Sequence, residues 1–274
     1  ARRTPALDLG LEPGMTLTKR LNHAWRLFVT GACFAGFALG GGLLSLVVLP
    51  PVALFTRDPS QRRRRIRRII GTAFGLMIRV LCATRTMRLA LSGIDKLRAH
   101  PGSLILANHP TLIDVVILLW QYPDACCVVK AELWKNPFHW GVVRLAGYID
   151  NADPETLIEK CAARLGAGES LIIFPEGTRT RPGIPMRFLR GSSYIALRNG
   201  RPVLPVILTC DPPTLTKATP WYRVPERAFE MTVTVLDPLP IDDLVPSPAP
   251  TPVGARRLTE ALENYFTEAV TDHA

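Results

Sequence analysis

Hydrophobic and polar positions alternate along this chain in two textures. From Leu27 to Thr56 no charged residue occurs. Leu27 to Leu49 alone would make a helix of about 34 Å at ~1.5 Å per residue, enough to cross bilayer hydrocarbon. The stretch is too long and too far from the start to read as a cleaved signal peptide, and no small-residue cleavage site is obvious. Pro50 and Pro51 are expected to end this helix, with Val52 to Phe55 as a short continuation, so 27–55 reads as a transmembrane or re-entrant segment. Gly36 and Gly40, with Gly41 and Gly42 following, permit close helix contact. Residues 1–26 read as a basic tail with little apolar periodicity, for which no fold is expected. Beyond the apolar segment come Arg57, Arg62, Arg63, Arg64, Arg65, Arg67 and Arg68, and then Ile66, Ile69, Ile70, Phe74, Met77 and Leu81 at helical spacing. The pattern predicts a basic amphipathic interfacial helix within 56–84, its arginines at the level of lipid phosphates.

From Thr86 the texture changes to short apolar runs separated by helical patterns. Met87–Leu91, Leu104–Ala107, Cys126–Val129, Tyr148–Ile149, Leu171–Phe174, Val203–Leu208 and Met231–Leu236 are candidate strands. Candidate helices are 110–120, 136–146, 154–165 and 190–199, with a closing helix over 255–270. Such alternation predicts an α/β domain over 85–274, built on a mixed, largely parallel sheet flanked by helices. The proline-rich stretches 211–228 and 237–254 read as loops over that sheet.

Composition sharpens this picture in two respects. The formal charge of +10 calls for an anionic partner. One basic run beside an apolar segment, without interleaved aromatics or a recognition motif, favours anionic lipid head groups over nucleic acid. The same run favours the cytoplasmic face of the membrane. The six cysteines show no paired metal spacing and read as reduced thiols; no metal and no cofactor is expected.

Candidate chemistry begins where the apolar run Leu104–Ala107 ends in Asn108, His109 and Pro110, with Asp114 four residues further on. Pro110 suits the first position of a helix. A histidine just before that helix can fold back towards Asp114, and a carboxylate on one ring nitrogen leaves the other free to take a proton. With 5 histidines and 23 acidic residues, roughly 0.4 such pairs arise by chance, so the spacing alone defines no site. A second run, Leu171-Ile172-Ile173, leads into Phe174-Pro175-Glu176-Gly177-Thr178-Arg179-Thr180.

Together these two motifs resemble the glycerolipid and lysophospholipid acyltransferases (1-acylglycerol-3-phosphate acyltransferase-like). The resemblance extends through Lys130-Ala131-Glu132-Leu133, Gly147-Tyr148-Ile149-Asp150, Phe188-Leu189-Arg190-Gly191 and Val203-Leu204-Pro205-Val206, covering roughly residues 85 to 210. It implies a membrane-bound O-acyltransferase that moves an acyl group from acyl-CoA or acyl carrier protein to a lysolipid hydroxyl. His109 would be the general base and Asp114 its orienter. Glu176, Gly177, Thr178 and Arg179 would bind the acceptor, Arg179 offering a fork of donors to phosphate and Glu176 orienting that arginine or a substrate hydroxyl. Backbone N–H groups around Gly177 are candidates for meeting the transition-state charge. The family's middle block usually carries a basic residue where Asn151 stands, so a phosphate contact is missing. Arg144, Arg187 and Arg190 are possible substitutes; otherwise the acceptor is another lysolipid, a glycolipid or an aryl polyene lipid. A non-catalytic lipid-binding adaptor is the alternative from another class. Lys130, Trp134, Lys135, Phe138 and Trp140 suit a membrane boundary or an acyl groove, and His139 among them reads as a surface or structural residue.

Overall fold

The computed structural model describes residues 16–181, 183–246 and 250–273. The first helix, α1 (Leu17–Leu43), starts well before Leu27, so the expected tail is helical over its last ten residues. Thr16 supplies the start, its side chain accepting the Lys19 N–H. His23, Arg26, Val29 and Thr30 are buried, so tertiary packing stabilises a stretch whose polar residues hide its periodicity. Residues 1–15 lie outside the described residues. Nor do Pro50 and Pro51 stop the helix. A π turn over Leu44–Val48 lets the Leu49 N–H reach back to Leu44, and α2 (Leu49–Phe55) then begins with the proline pair in its first turn, where the fixed φ of proline suits a helix. Leu17–Phe55 is long and apolar enough to cross a membrane. Gly36 and Gly40 do not mark a tight crossing: a Cβ at either would meet nothing within 4 Å, and both border a cavity of about 390 Å³ between α1 and the next helix.

That helix, α3 (Pro59–Ala83), is capped by Asp58 and turns its apolar face to the rest of the fold, burying Ile66, Ile70, Ile78 and Leu81. The arginine run divides accordingly. Arg57, Arg64 and Arg65 are exposed, whereas Arg67 is 2% exposed and donates to the Ala146 and Asp124 carbonyls at 2.9 Å each. It meets Glu169 at 2.9 Å. Placing every arginine at lipid phosphate is therefore corrected for Arg67, whose alkyl stem and fork dock the helix instead.

The remaining chain runs β1 (Met87–Ser92), α4 (Asp95–Ala99), β2 (Leu104–Ala107), α5 (Asp114–Gln121), β3 (Cys126–Val129), α6 (Ala131–Lys135), α7 (Trp140–Ala146), β4 (Ile149–Asp150), α8 (Pro154–Gly166), β5 (Leu171–Ile173), α9 (Arg190–Asn199), β6 (Val203–Asp211), β7 (Phe229–Val235), α10 (Ile241–Leu244) and α11 (Pro252–Asp272). The seven strands form one sheet in the order β1-β7-β6-β2-β5-β3-β4. Every pairing is parallel except β6 with β7, so the mixed, largely parallel α/β architecture holds. Central β2 is buried on both faces, as a helix-covered parallel strand must be. Helix α5 packs on α3 at Gly71, where a Cβ would lie 2.8 Å from Pro123 Cβ.

Two helix expectations are corrected. The 136–146 pattern holds one shorter helix, α7 from Trp140, set off from α6, which ends at Lys135, because the Asn136 side chain turns the chain by accepting the Phe138 N–H. The helix expected from Pro110 starts only at Asp114. Strands β6, β2 and β5 are adjacent and parallel, so their C-terminal ends open on one edge, where α/β sheets bind ligands.

Candidate active site

Three loops meet on that edge, one from each strand. Past the end of β2 the Asn108 side chain exchanges two hydrogen bonds with the Leu208 backbone of β6, both 2.8 Å, which holds the chain to the sheet and delivers His109 just beyond it. The late start of α5 has a local cause. Thr111 donates its N–H (2.7 Å) and its hydroxyl to the Asp114 carboxylate, so 110–113 fold as a turn around that side chain in place of helix. The turn carries His109 over Asp114, and Nδ1 lies 2.8 Å from Oδ2. The imidazole stacks on Phe174, with centroids 4.3 Å apart. Asp114 is fully buried. Burial pushes its carboxyl above the ordinary range, opposed by the bonds from His109 and Thr111. An acceptor at Nδ1 selects the tautomer with the proton there, leaving a lone pair on Nε2, which has no protein partner among the described residues.

The second loop, after β5, is laced to the first. Glu176 Oε1 accepts the His109 backbone N–H at 3.1 Å and the Thr180 hydroxyl at 2.6 Å, while the Thr180 N–H donates to the His109 carbonyl at 2.7 Å. Glu176 therefore holds the main chain of His109 and is not paired with Arg179. Burial pushes its carboxyl up, against the bonds from Thr180 and His109. Gly177 has φ +64, and a Cβ there would lie 2.5 Å from Leu189 Cδ1, so both conformation and space call for glycine. Its N–H is committed to the Phe174 carbonyl at 3.0 Å, which removes it as a donor to a transition-state oxyanion. Thr178 is half-buried on the same turn.

Arg179 turns towards the third loop, which follows β6. Its Nη1 donates to the Leu215 and Thr216 carbonyls, both at 2.8 Å, while Nε and Nη2 have no protein partner among the described residues. Burial lowers its pKa and the charge of Asp114 raises it, so the guanidinium lies within electrostatic reach of the histidine–aspartate pair. The Leu215 carbonyl also accepts the Leu112 N–H at 3.1 Å, joining the third loop to the first. Leu215 holds φ +52, unusual for a residue with a branched side chain. The motifs gave no sign of Leu215 and Thr216, because they contribute carbonyls, which any residue carries. Thr111 and Thr180 lie within or beside the motifs but had no assigned role.

Asn151 lies elsewhere. Its side chain accepts the Ala131 N–H and starts α6, beside β4, three strands and about 14 Å across the sheet from β2 at ~4.8 Å per strand. Arg187 pairs with Glu263 of α11, and Arg144 lies over the Trp140 ring, so neither joins the site. Arg190 opens α9 on the surface. His139 packs on Phe37 and in the notch at Gly41, as a structural residue does.

Residues 88–209, which contain both motifs and the strands that carry them, match the family model described as Acyltransferase. Over this stretch the chain is an acyltransferase domain similar to the glycerolipid acyltransferases. Among curated proteins, this acyltransferase is 28% identical over 230 residues to the 1-acyl-sn-glycerol-3-phosphate acyltransferase of Limnanthes douglasii, covering 81% of this chain and 76% of that one. It is 31% identical to the Cocos nucifera enzyme of the same name, over 53% of this chain and 48% of the relative. The human 1-acyl-sn-glycerol-3-phosphate acyltransferase alpha is 26% identical, over 68% and 66%. The fold is that of the 1-acyl-sn-glycerophosphate (LPA) acyltransferase PlsC from Thermotoga maritima, with a TM-score of 0.67 at 20% identity over 94% of the acyltransferase and 97% of that chain.

Proposed function

We propose that this acyltransferase moves an acyl group from a soluble thioester, acyl-CoA or acyl carrier protein, to the free hydroxyl of 1-acylglycerol-3-phosphate. It does so at the cytoplasmic membrane, with the α/β domain on the cytoplasmic side and exposed arginines such as Arg57, Arg64 and Arg65 facing anionic head groups. The observation that carries the reading is a histidine with Nδ1 held by a buried carboxylate and Nε2 open. His109 Nε2 takes the proton of the acceptor hydroxyl as its oxygen attacks the thioester carbonyl. The C–S bond then breaks, and the proton passes from the imidazolium to the departing thiolate. Asp114 stabilises the imidazolium while it exists. No acyl-enzyme is needed. Glu176 and Thr180 hold the histidine main chain, and Gly177 and Thr178 shape the turn that presents Arg179. The unpaired Nε and Nη2 of Arg179 are the planar fork that a phosphate accepts.

Asn151 supports a second reading, in which the same chemistry serves an acceptor without the 3-phosphate. Transfer of labelled acyl groups from both donors into a panel of lysolipids, in parent and His109→Ala, decides between them. The first reading expects a phosphatidate product that vanishes in the variant. Transfer to another acceptor alone, still dependent on His109, selects the second. Transfer indifferent to His109 removes the mechanism, and binding without transfer leaves a lipid adaptor.

A further inference from the structure

The third loop of the site is held from helix α1. Arg26 of α1 is 9% exposed, and its guanidinium donates through Nε to the Pro225 carbonyl at 3.1 Å and through Nη2 to the Glu226 carbonyl. Two carbonyls nearly two hundred residues away in sequence thus meet one cation on a helix otherwise rich in apolar residues. One turn and a half further along α1, Gly31 leaves room for Trp221 of the same loop, whose ring would lie 3.3 Å from a Cβ, and Phe34 packs on that ring at 5.6 Å. Arg26, Thr30, Thr214, Leu215 and Pro225 close around a void of only about 10 Å³, room for about one water. Helix α1 therefore touches the segment that carries Leu215, whose carbonyl is shared by Arg179 Nη1 and the Leu112 N–H.

We propose that Arg26 is a positioning residue for the acceptor site. By clamping Pro225 and Glu226 it sets the 211–228 loop, whose Leu215 and Thr216 carbonyls aim Arg179, so the seating of the membrane helix on the domain governs affinity for a phosphate-bearing lysolipid. This rests on the reading of Arg179 as the acceptor's phosphate ligand. The arrangement suits an enzyme whose acceptor lies in the bilayer. The fork is aimed from the helix that lies among the lipids, while the base is held separately by Asp114, Thr111 and Glu176.

The test is steady-state kinetics of the full chain in lipid nanodiscs with 1-acylglycerol-3-phosphate, comparing the parent with Arg26→Gln, Arg26→Lys, Arg179→Gln and the Arg26→Gln/Arg179→Gln pair. Arg26→Gln is expected to raise the acceptor KM about tenfold, the scale of one charged hydrogen bond, while kcat and the donor KM stay within about twofold. Arg26→Lys should recover part of that loss. In the Arg179→Gln background Arg26→Gln should add nothing, since both act through one fork. Equal falls in kcat and in affinity for both substrates, or additive losses in the pair, would overturn the proposal in favour of a general structural role. An acceptor KM untouched by Arg26→Gln but raised by Arg179→Gln overturns the coupling alone. An acceptor KM untouched by Arg179→Gln overturns the phosphate reading and the coupling with it. If Arg26→Gln does not fold, Gly31→Leu, which pushes Trp221 from α1 with Arg26 intact, must give the same rise in acceptor KM or the proposal fails.

Discussion

Glu169 and Asp114 are both carboxylates withdrawn from water beside a basic partner, and their surroundings differ in kind. Glu169 faces three arginines: Arg164 at 2.8 Å, Arg67 at 2.9 Å and Arg63 at 3.4 Å. All three are permanent cations. Burial works to raise the Glu169 pKa, but Arg67 and Arg164 outweigh it and hold the carboxyl below its ordinary range. Asp114 faces one histidine and one threonine, and there burial wins. A carboxylate whose charge is over-compensated ties α3 to the domain. One whose charge is under-compensated strengthens its hold on an imidazole that acquires charge, as a general base requires.

The widest separation between the two is expected in activity. His109→Ala should lower kcat by about 10²- to 10⁴-fold, the range typical of general base catalysis. Asp114→Asn should fall in the same range, because an amide can neither fix the productive tautomer as firmly nor stabilise the imidazolium. Stability should move the other way. A raised pKa in the folded state means that ionising Asp114 opposes folding: its favourable contribution is present below the unfolded pKa and lost as pH rises through the folded one. Asp114→Asn should therefore melt no lower than the parent at pH 7, as followed by thermal denaturation in detergent. A large fall in melting temperature would make Asp114 a structural residue and remove the contrast.

At the other carboxylate the expected effect is on the fold. Glu169→Gln leaves the buried charge of Arg67 uncompensated and should cost about 3 kcal/mol, at the low end for breaking a buried pair because Glu169 keeps some solvent contact. Activity per folded molecule should be unchanged. The pH dependence has the opposite sign to that of Asp114. The Glu169 contribution is present above the ordinary glutamate pKa and lost as pH falls through the lowered folded value. Melting temperature against pH should then fall on the acid side in the parent, more gently in Glu169→Gln, the two curves converging at the acid end.

The two carboxylates were unequally legible from the sequence. His109 and Asp114 stand five residues apart behind an apolar run, and the shared motif pattern singled them out. Glu169 lies between a helix end and a strand; Arg164 is only five residues away from it, but no motif singles out that pair, and Arg63 and Arg67 reach it from α3. Arg67 is one of seven arginines in a single run, and nothing local marks it as the one turned inward. The strands were legible because buried parallel strands are short unbroken apolar runs. The start of α1 was not, since His23 and Arg26 break the pattern and are buried only by tertiary packing, Arg26 against the Pro225 and Glu226 carbonyls. The π turn before Pro50 was hidden as well, because it is a change of backbone register that no side chain announces.

The smallest expected effect tests how far the under-compensation of Asp114 has been set by its own turn. Thr111 gives Asp114 two of its three hydrogen bonds, and these lower the carboxyl against the rise from burial. Thr111→Val keeps the shape and the N–H but removes the hydroxyl, leaving Oδ1 buried without that donor. Loss of one hydrogen bond to a buried charge is worth about 1–3 kcal/mol, divided here between folding and the orientation of His109. A fall in kcat of about tenfold with acceptor and donor KM unchanged is expected, together with an acid limb of the kcat profile displaced to higher pH, since a less supported carboxylate protonates sooner. The parent acid limb with full kcat would mean that His109 alone satisfies Asp114, and Thr111 would then serve only to shape the turn.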